Sequence, residues 1–133
     1  LQTELRGAVD LDDVAEWSRC LRETVDGLPP GTRFGLLLDL RGLSAANPDT
    51  HQAMRTVVPE LLATHGLRPA FLDLFPEQPE IAITRANDVI CTAFANVHHD
   101  EAKMAGYEER IAKPNQRFFT NIDVAAAWLK TLA

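Results

Sequence analysis

Two short segments of the chain are apolar at nearly every position, and each has the length of a buried strand. Residues 34–40 and 70–75 lack the alternation that a strand with one solvent-exposed face would show. Asp39 and Asp73 lie near the carboxyl ends of these segments. The pattern predicts two neighbouring strands, buried on both faces, in a parallel or mixed sheet that helices cover.

Apolar residues recur at helical spacing in the segments that surround these two strands. Asp10, Asn47 and Asn121 are candidate N-cap residues ahead of three predicted helices. A further helix is predicted over residues 80–105, although residues 80–84 also alternate in the manner of a short strand. The sequence leaves the choice between strand and helix at residues 80–84 open.

Residues 1–9 are mixed in character and predict the tail of a strand or a hairpin, and residues 117–119 predict a short strand. Strands and helices then alternate along the whole chain, and this order predicts an α/β fold. With right-handed crossovers it gives one domain over residues 1–133, built on a single mixed, largely parallel β-sheet flanked by about four α-helices.

The composition of the chain argues against some classes of binding partner. The 133 residues are 46% hydrophobic and include 13 basic against 19 acidic side chains, a formal net charge of −6. An acidic chain repels phosphate backbones, so we expect no nucleic-acid partner. No apolar run approaches the roughly 20 residues of a membrane span, and no signal segment is evident. Because the two cysteines also lack CxxC spacing, we expect a cytoplasmic protein that is not an integral membrane protein.

Three segments together resemble one family. Residues 36–44 read Leu-Leu-Leu-Asp-Leu-Arg-Gly-Leu-Ser, which resembles the central strand and loop of STAS domains, the anti-sigma-factor-antagonist fold. Residues 118–129 resemble the phenylalanine and Ala-x-x-Trp-Leu ending of the SpoIIAA-like subgroup, and residues 7–14 are similar to its step from strand to first helix. The resemblance implies a sheet flanked by helices and a non-enzymatic regulatory or ligand-binding role.

The chain departs from the STAS pattern at one functional position. Phosphorylated STAS proteins carry an Asp-Ser-Ser-Gly step at the start of the helix after the central strand, where this chain has Asn47-Pro48-Asp49-Thr50. Asp49 stands in the place of the regulated serine. The serine switch of the family therefore cannot be transferred to this chain.

The first function hypothesis is a non-catalytic regulatory or protein-interaction module. In open α/β sheets, ligands tend to lie outside the carboxyl ends of the strands. We expect an unknown protein partner to contact the loop after the central strand, and a homodimer stays an open alternative. In a simpler interpretation, the cap residue of this loop only caps and its arginine only contacts water. The predicted partner-binding loop consists of Arg41, Ser44, Asn47, Asp49 and Thr50.

The second hypothesis is a carrier or sensor of a small apolar ligand, such as a lipid. The SpoIIAA-like fold is also similar to lipid carriers of the CRAL-TRIO type, and alanine-rich helices would leave room beneath them. Plain core packing explains the same aromatic residues without a ligand. The predicted pocket consists of Trp17, Phe94, Phe118 and Trp128.

The third hypothesis is a metal-dependent phosphoryl enzyme that uses Asp39 and Asp73. Two carboxylates at one sheet edge could hold Mg²⁺. His98 and His99 do not add a metal site, because adjacent residues of a helix point about 100° apart and cannot chelate as an i, i+4 pair does. This hypothesis ranks last, and we expect no enzyme activity, catalytic residue, metal or cofactor.

Overall fold

Four parallel strands form the main sheet of this computed structural model, which describes residues 1–45, 47–74 and 81–132. Its spatial order is β1-β3-β5-β6, and two further strands, β2 and β4, pair in parallel as a separate small sheet. The strands are β1 (Gln2–Glu4), β2 (Gly7–Val9), β3 (Arg33–Asp39), β4 (Leu43–Ala45), β5 (Ile90–Val97) and β6 (Gln116–Phe119).

Each of the four α-helices begins at a polar side chain that caps its free amide groups. Asp10 and Asp13 bond reciprocally, since each carboxylate accepts from the other residue's backbone N–H at 2.9 and 3.0 Å. Asn47 and Asn121 cap as predicted, and Asp100 caps the third helix. The helices are α1 (Leu11–Asp26), α2 (Pro48–Thr64), α3 (Glu101–Ile111) and α4 (Ile122–Thr131).

The two faces of the main sheet carry different helices. Because side chains alternate along a strand, Leu36 and Leu38 of β3 face one way and Leu37 the other. Leu36 and Leu38 belong to a core cluster with α1 and α2, and α3 packs beside it on Phe118 of β6. Leu37 belongs to a second cluster, in which α4 covers the opposite face.

The α4 face is built from small side chains. Ala95 of β5 and Ala125 of α4 are both fully buried there. A Cβ atom at Gly35 would lie 3.3 Å from Leu129 Cδ2, which is closer than ordinary van der Waals contact. The absence of a side chain at Gly35 thus lets α4 lie directly on the sheet.

The predicted strand at residues 70–75 is wrong. Ala70–Leu74 form a 3₁₀ helix, and Phe75 lies outside the described residues. The Gln116 side chain holds the start of this segment: its Oε1 accepts from Ala70 N at 2.6 Å and its Nε2 donates to Arg68 O at 2.8 Å. A short apolar run fits a buried turn of helix as well as a strand, so the pattern alone could not separate them.

The predicted helix at residues 80–105 is also wrong. Its middle is the strand β5, which pairs with β3 and β6, and α3 begins only at Glu101. Residues 81–84 form no regular element, and residue 80 is not described. Asn87 and Asp88 adopt positive φ angles of 56° and 55°, which break any helix before β5.

The α/β class and the four helices are confirmed. The strand pairings in the described ranges are all parallel, and the predicted single mixed sheet is replaced by one four-stranded and one two-stranded sheet. Across those same ranges, no helix combines the length and the hydropathy that crossing a membrane requires.

Candidate functional site

A cavity of about 410 Å³ lies between the main sheet and the helices α1, α2 and α3. Its volume falls within the range of roughly 300–1,000 Å³ that is typical of small-molecule sites. Strand β4 closes one side of it. The described residues that line it are Leu5, Trp17, Leu38, Leu40, Leu43, Ala45, His51, Met54, Arg55, Val58, Pro59, Leu62, Pro69, Phe94, Asn96, His98, His99, Lys103, Met104, Tyr107, Gln116 and Phe118.

The walls of the cavity are mainly aliphatic and aromatic. Trp17 of α1 is positioned by its own polar edge, because the indole Nε1 donates to Thr3 Oγ1 of β1 at 2.8 Å. Phe118 of β6 packs edge-on against Tyr107 of α3, with ring centroids 5.4 Å apart. Phe94 of β5 lines the floor between them. Such a surface favours an apolar ligand through the hydrophobic effect.

One part of the cavity lining is basic. We call the five residues His51, Arg55, His98, His99 and Lys103 the cationic rim. The first two lie on α2, the histidine pair follows β5, and Lys103 lies in the first turn of α3. The described lining residues include no aspartate or glutamate, and Arg55 and Lys103 carry permanent positive charges within a chain whose net charge is −6.

The rim residues influence one another electrostatically. Burial lowers the pKa of His51, and the charges of Arg55 and Lys103 lower it further. Burial also lowers the pKa of His98, helped by His99 and Lys103 and opposed by Asp100. Lys103 thus acts electrostatically on imidazoles of both the α2 part of the rim and the histidine pair.

Hydrogen bonds fix the two adjacent histidines. Their rings stack with centroids 4.2 Å apart. Each Nδ1 accepts a backbone N–H at 3.0 Å, that of Gly42 for His99 and that of Asp100 for His98. A neutral ring that accepts at Nδ1 carries its proton on Nε2, so each histidine retains a donor even when uncharged.

Two amide side chains line the cavity and differ in their bonding. Both ends of Gln116 are hydrogen-bonded to backbone, as described above. Asn96 Oδ1 is buried and has no hydrogen-bond partner among the described residues. A buried acceptor without a partner costs about 1–3 kcal/mol. Asn96 is therefore a polar point in the cavity wall.

The predicted partner-binding loop is largely occupied by contacts within the chain. Arg41 binds Asp39 in bidentate fashion, through Nε at 2.9 Å and Nη2 at 2.9 Å. Asn47 Oδ1 accepts from both the backbone N and Oγ1 of Thr50, which is fully buried. Ser44 and Asp49 are exposed. Three of the five predicted residues thus have structural contacts.

Asp39 and Asp73 bind different cations. Arg41 and, more weakly, Arg6 hold the pKa of the buried Asp39 carboxyl down at about 2, against the opposing effect of burial. Asp73 contacts Lys113 at 3.0 Å and Arg68 at 2.8 Å, and both lower its pKa.

The premise of the magnesium hypothesis is wrong, because Asp73 lies in a 3₁₀ helix and not at a strand end. Within the described ranges, no group of three or more histidine, cysteine or acidic side chains could hold a metal ion.

The cysteines offer no reactive thiolate in the core. Cys91 lies on β5 and is buried, and that burial raises its pKa to about 12. Cys20 is exposed on α1. At neutral pH the Cys91 thiol stays protonated and packs as a small apolar side chain.

Three of the four residues predicted for an apolar pocket line the cavity: Trp17, Phe94 and Phe118. Trp128 lies on the opposite face of the sheet, beside Phe119, with ring centroids 5.6 Å apart.

Sequence reasoning missed the whole cationic rim. His51 and Arg55 stand at i, i+4 on a capped helix, and this spacing was the available signal. The other three rim residues fall within the helix predicted over residues 80–105. In the structure His98 and His99 follow the strand β5, and Lys103 lies on the separate helix α3.

Comparisons with known proteins give no match to this chain: no family model, curated protein sequence or solved structure is significantly similar to it. The resemblance to STAS domains stays a prediction.

Proposed function

We propose that the protein binds a small, largely apolar ligand in the cavity between the main sheet and helices α1, α2 and α3. The observation that carries this proposal is the cavity itself, about 410 Å³ with mainly apolar walls. Concave sites of this size with mainly apolar walls are the usual form of small-molecule binding sites. A ligand would restore the dispersion contacts that the lining residues lack.

Polar groups in the wall support the same function. Small-molecule sites combine apolar surface with a few placed polar groups that orient the ligand. Asn96 Oδ1 has that character, since it is a buried acceptor without a described partner. An apolar core void without function would not require an amide at this position.

The cavity is a better candidate than the loop after β3. Arg41, Asn47 and Thr50 stabilise the chain's own fold, which leaves Ser44 and Asp49 as the exposed members of the predicted loop. The interaction module stays a prediction without a structural feature that favours it. A carrier or sensor role follows more directly from a cavity with mainly apolar walls.

A calorimetric titration with decan-1-ol tests this proposal. The wild type is compared with Leu38→Phe, which adds a larger side chain to the cavity wall at a residue that is 5% exposed. The matched control is Leu132→Phe, which makes the same change at the exposed residue that caps the C-terminus of α4. We expect saturable binding to the wild type and the control, and loss of about tenfold or more in affinity for Leu38→Phe.

The proposal fails if neither decan-1-ol nor a charged molecule with the same ten-carbon chain shows saturable binding to the folded wild type. It also fails if Leu38→Phe, shown to be folded by circular dichroism, binds as tightly as the control. In either case the cavity is a packing feature of the fold and not a binding site.

A further inference from the structure

The cationic rim is unusual in its setting. The chain carries a net charge of −6, yet the five rim residues meet at one cavity whose described lining has no acidic side chain. Four of the rim residues are exposed and His98 is half-buried, so water reaches most of the rim. Burial is the main cause of the lowered pKa values of His51 and His98, and the neighbouring cations lower them further.

Lys103 is the central member of the rim. It influences imidazoles on two different elements, His51 on α2 and His98 after β5. Its Nζ also lies 5.8 Å from the centroid of the Tyr107 ring, which itself lines the cavity. The ammonium group therefore stands where the apolar wall meets the basic part of the lining.

We infer that the ligand is an amphipathic anion, with its apolar body in the cavity and an oxyanion head group, carboxylate or phosphate, at the cationic rim. This inference rests on the proposed function and specifies its ligand class. Lys103 and Arg55 supply permanent positive charge to the head group, and the rim histidines supply N–H donors. Hydrogen bonds between charged partners are about twice as strong as neutral ones.

The geometry explains why both parts of such a ligand are needed. The apolar body gains the hydrophobic free energy of the walls, while the head group is attracted by the charges of Arg55 and Lys103. A neutral ligand would lack that attraction. A cationic ligand would be repelled.

The test compares four molecules with the same ten-carbon chain: decanoate, decyl phosphate, decan-1-ol and decyltrimethylammonium. Each is titrated against the wild type, Lys103→Glu and Lys130→Glu. Lys103 is exposed and occupies the third position of α3, where glutamate is favoured, so its variant is expected to fold. Lys130→Glu makes the same charge change on α4, across the sheet from the cavity.

We expect decanoate or decyl phosphate to bind at least tenfold more tightly than decan-1-ol, and decyltrimethylammonium to bind most weakly. Lys103→Glu is expected to weaken binding of the anion about tenfold or more and to change decan-1-ol binding less than twofold. Lys130→Glu is expected to leave both unchanged. The tighter of the two anions identifies the head group as carboxylate or phosphate.

Two results overturn the inference while the proposed function stands. In the first, decan-1-ol binds as tightly as both anions. In the second, Lys103→Glu and Lys130→Glu affect anion binding equally. If none of the four molecules binds the wild type, the proposed function itself is wrong.

Discussion

The two faces of the main sheet are packed in opposite ways. On the α4 face, Gly35, Ala95 and Ala125 bring one helix directly against the strands, and Leu37 is 3% exposed. On the other face, three helices pack around larger side chains and leave a cavity of about 410 Å³. The strands are the same in both cases, so the void belongs to the arrangement of α1, α2 and α3.

The cavity is therefore confined to one face of the sheet, and the protein as a whole is not loosely packed. The α4 face shows that helices can pack directly against these strands. The other, open face carries Asn96 and the cationic rim in its cavity lining. The open face is therefore the one we associate with function.

The same substitution at two adjacent residues of β3 tests whether the two faces are packed differently. Leu37→Phe overpacks the closed face and is expected to lower the free energy of unfolding by about 3 kcal/mol. Leu38→Phe places the same added volume beside the cavity and is expected to cost less than about 1 kcal/mol. Urea denaturation of both variants measures the difference. Equal losses would mean that the two faces are packed alike.

The two amides of the open face give the next largest effect. Gln116→Leu leaves Ala70 N and Arg68 O without their partner and is expected to destabilise the fold by about 2–3 kcal/mol. Asn96→Leu removes an acceptor that has no described partner and is expected to stabilise it by about 1 kcal/mol. Thermal unfolding checks the opposite signs. A clear loss of stability in Asn96→Leu would show that this amide has a partner in the folded protein.

Because Asp39 has a lowered pKa, we expect the free energy of unfolding to decrease in acid. Its folded-state pKa of about 2 lies below the unfolded value of 3.8, so its contribution is complete above pH 3.8 and disappears as the pH falls towards 2. The shift corresponds to about 2 kcal/mol. The measurement is the free energy of unfolding against pH for the wild type and Asp39→Asn. Parallel curves for the two proteins below pH 3.8 would contradict this assignment.

The smallest expected effect is the pH dependence of anion binding at the open face. His51 and His98 have lowered pKa values in the free protein, because burial and neighbouring cations disfavour their charged forms, with Asp100 opposing this at His98. A bound oxyanion would raise both values. Affinity for decanoate should therefore rise about twofold to fivefold as the pH falls from about 8 to about 6. Decan-1-ol is the control, and an equal rise for it would exclude the histidines as the cause.

Local signals predicted the helix starts well. Asp10, Asn47 and Asn121 cap their helices through bonds to residues within three positions, and such bonds depend on nearby sequence alone. The apolar run at residues 34–40 also predicts a strand, and β3 (Arg33–Asp39) confirms it with bounds one residue earlier.

The errors arise where distant residues decide the local structure. Ala70 is held by Gln116, 46 residues later in the chain, and no pattern within residues 70–75 contains that information. The alanine-rich β5 reads as a helix, but pairing with strands on both sides determines its conformation. The same error hid the cationic rim, since His98 and His99 follow β5 directly.

The fluorescence of the chain's two tryptophans can show whether a ligand binds on the cavity side of the sheet and not on the α4 side. Trp128→Phe leaves Trp17 in the cavity wall as the only indole, and Trp17→Phe leaves Trp128 on the α4 face. We predict that titration with decanoate changes the fluorescence of the Trp17 reporter saturably and leaves that of the Trp128 reporter constant. A response from Trp128 with none from Trp17 would contradict the assignment of the cavity as the binding site.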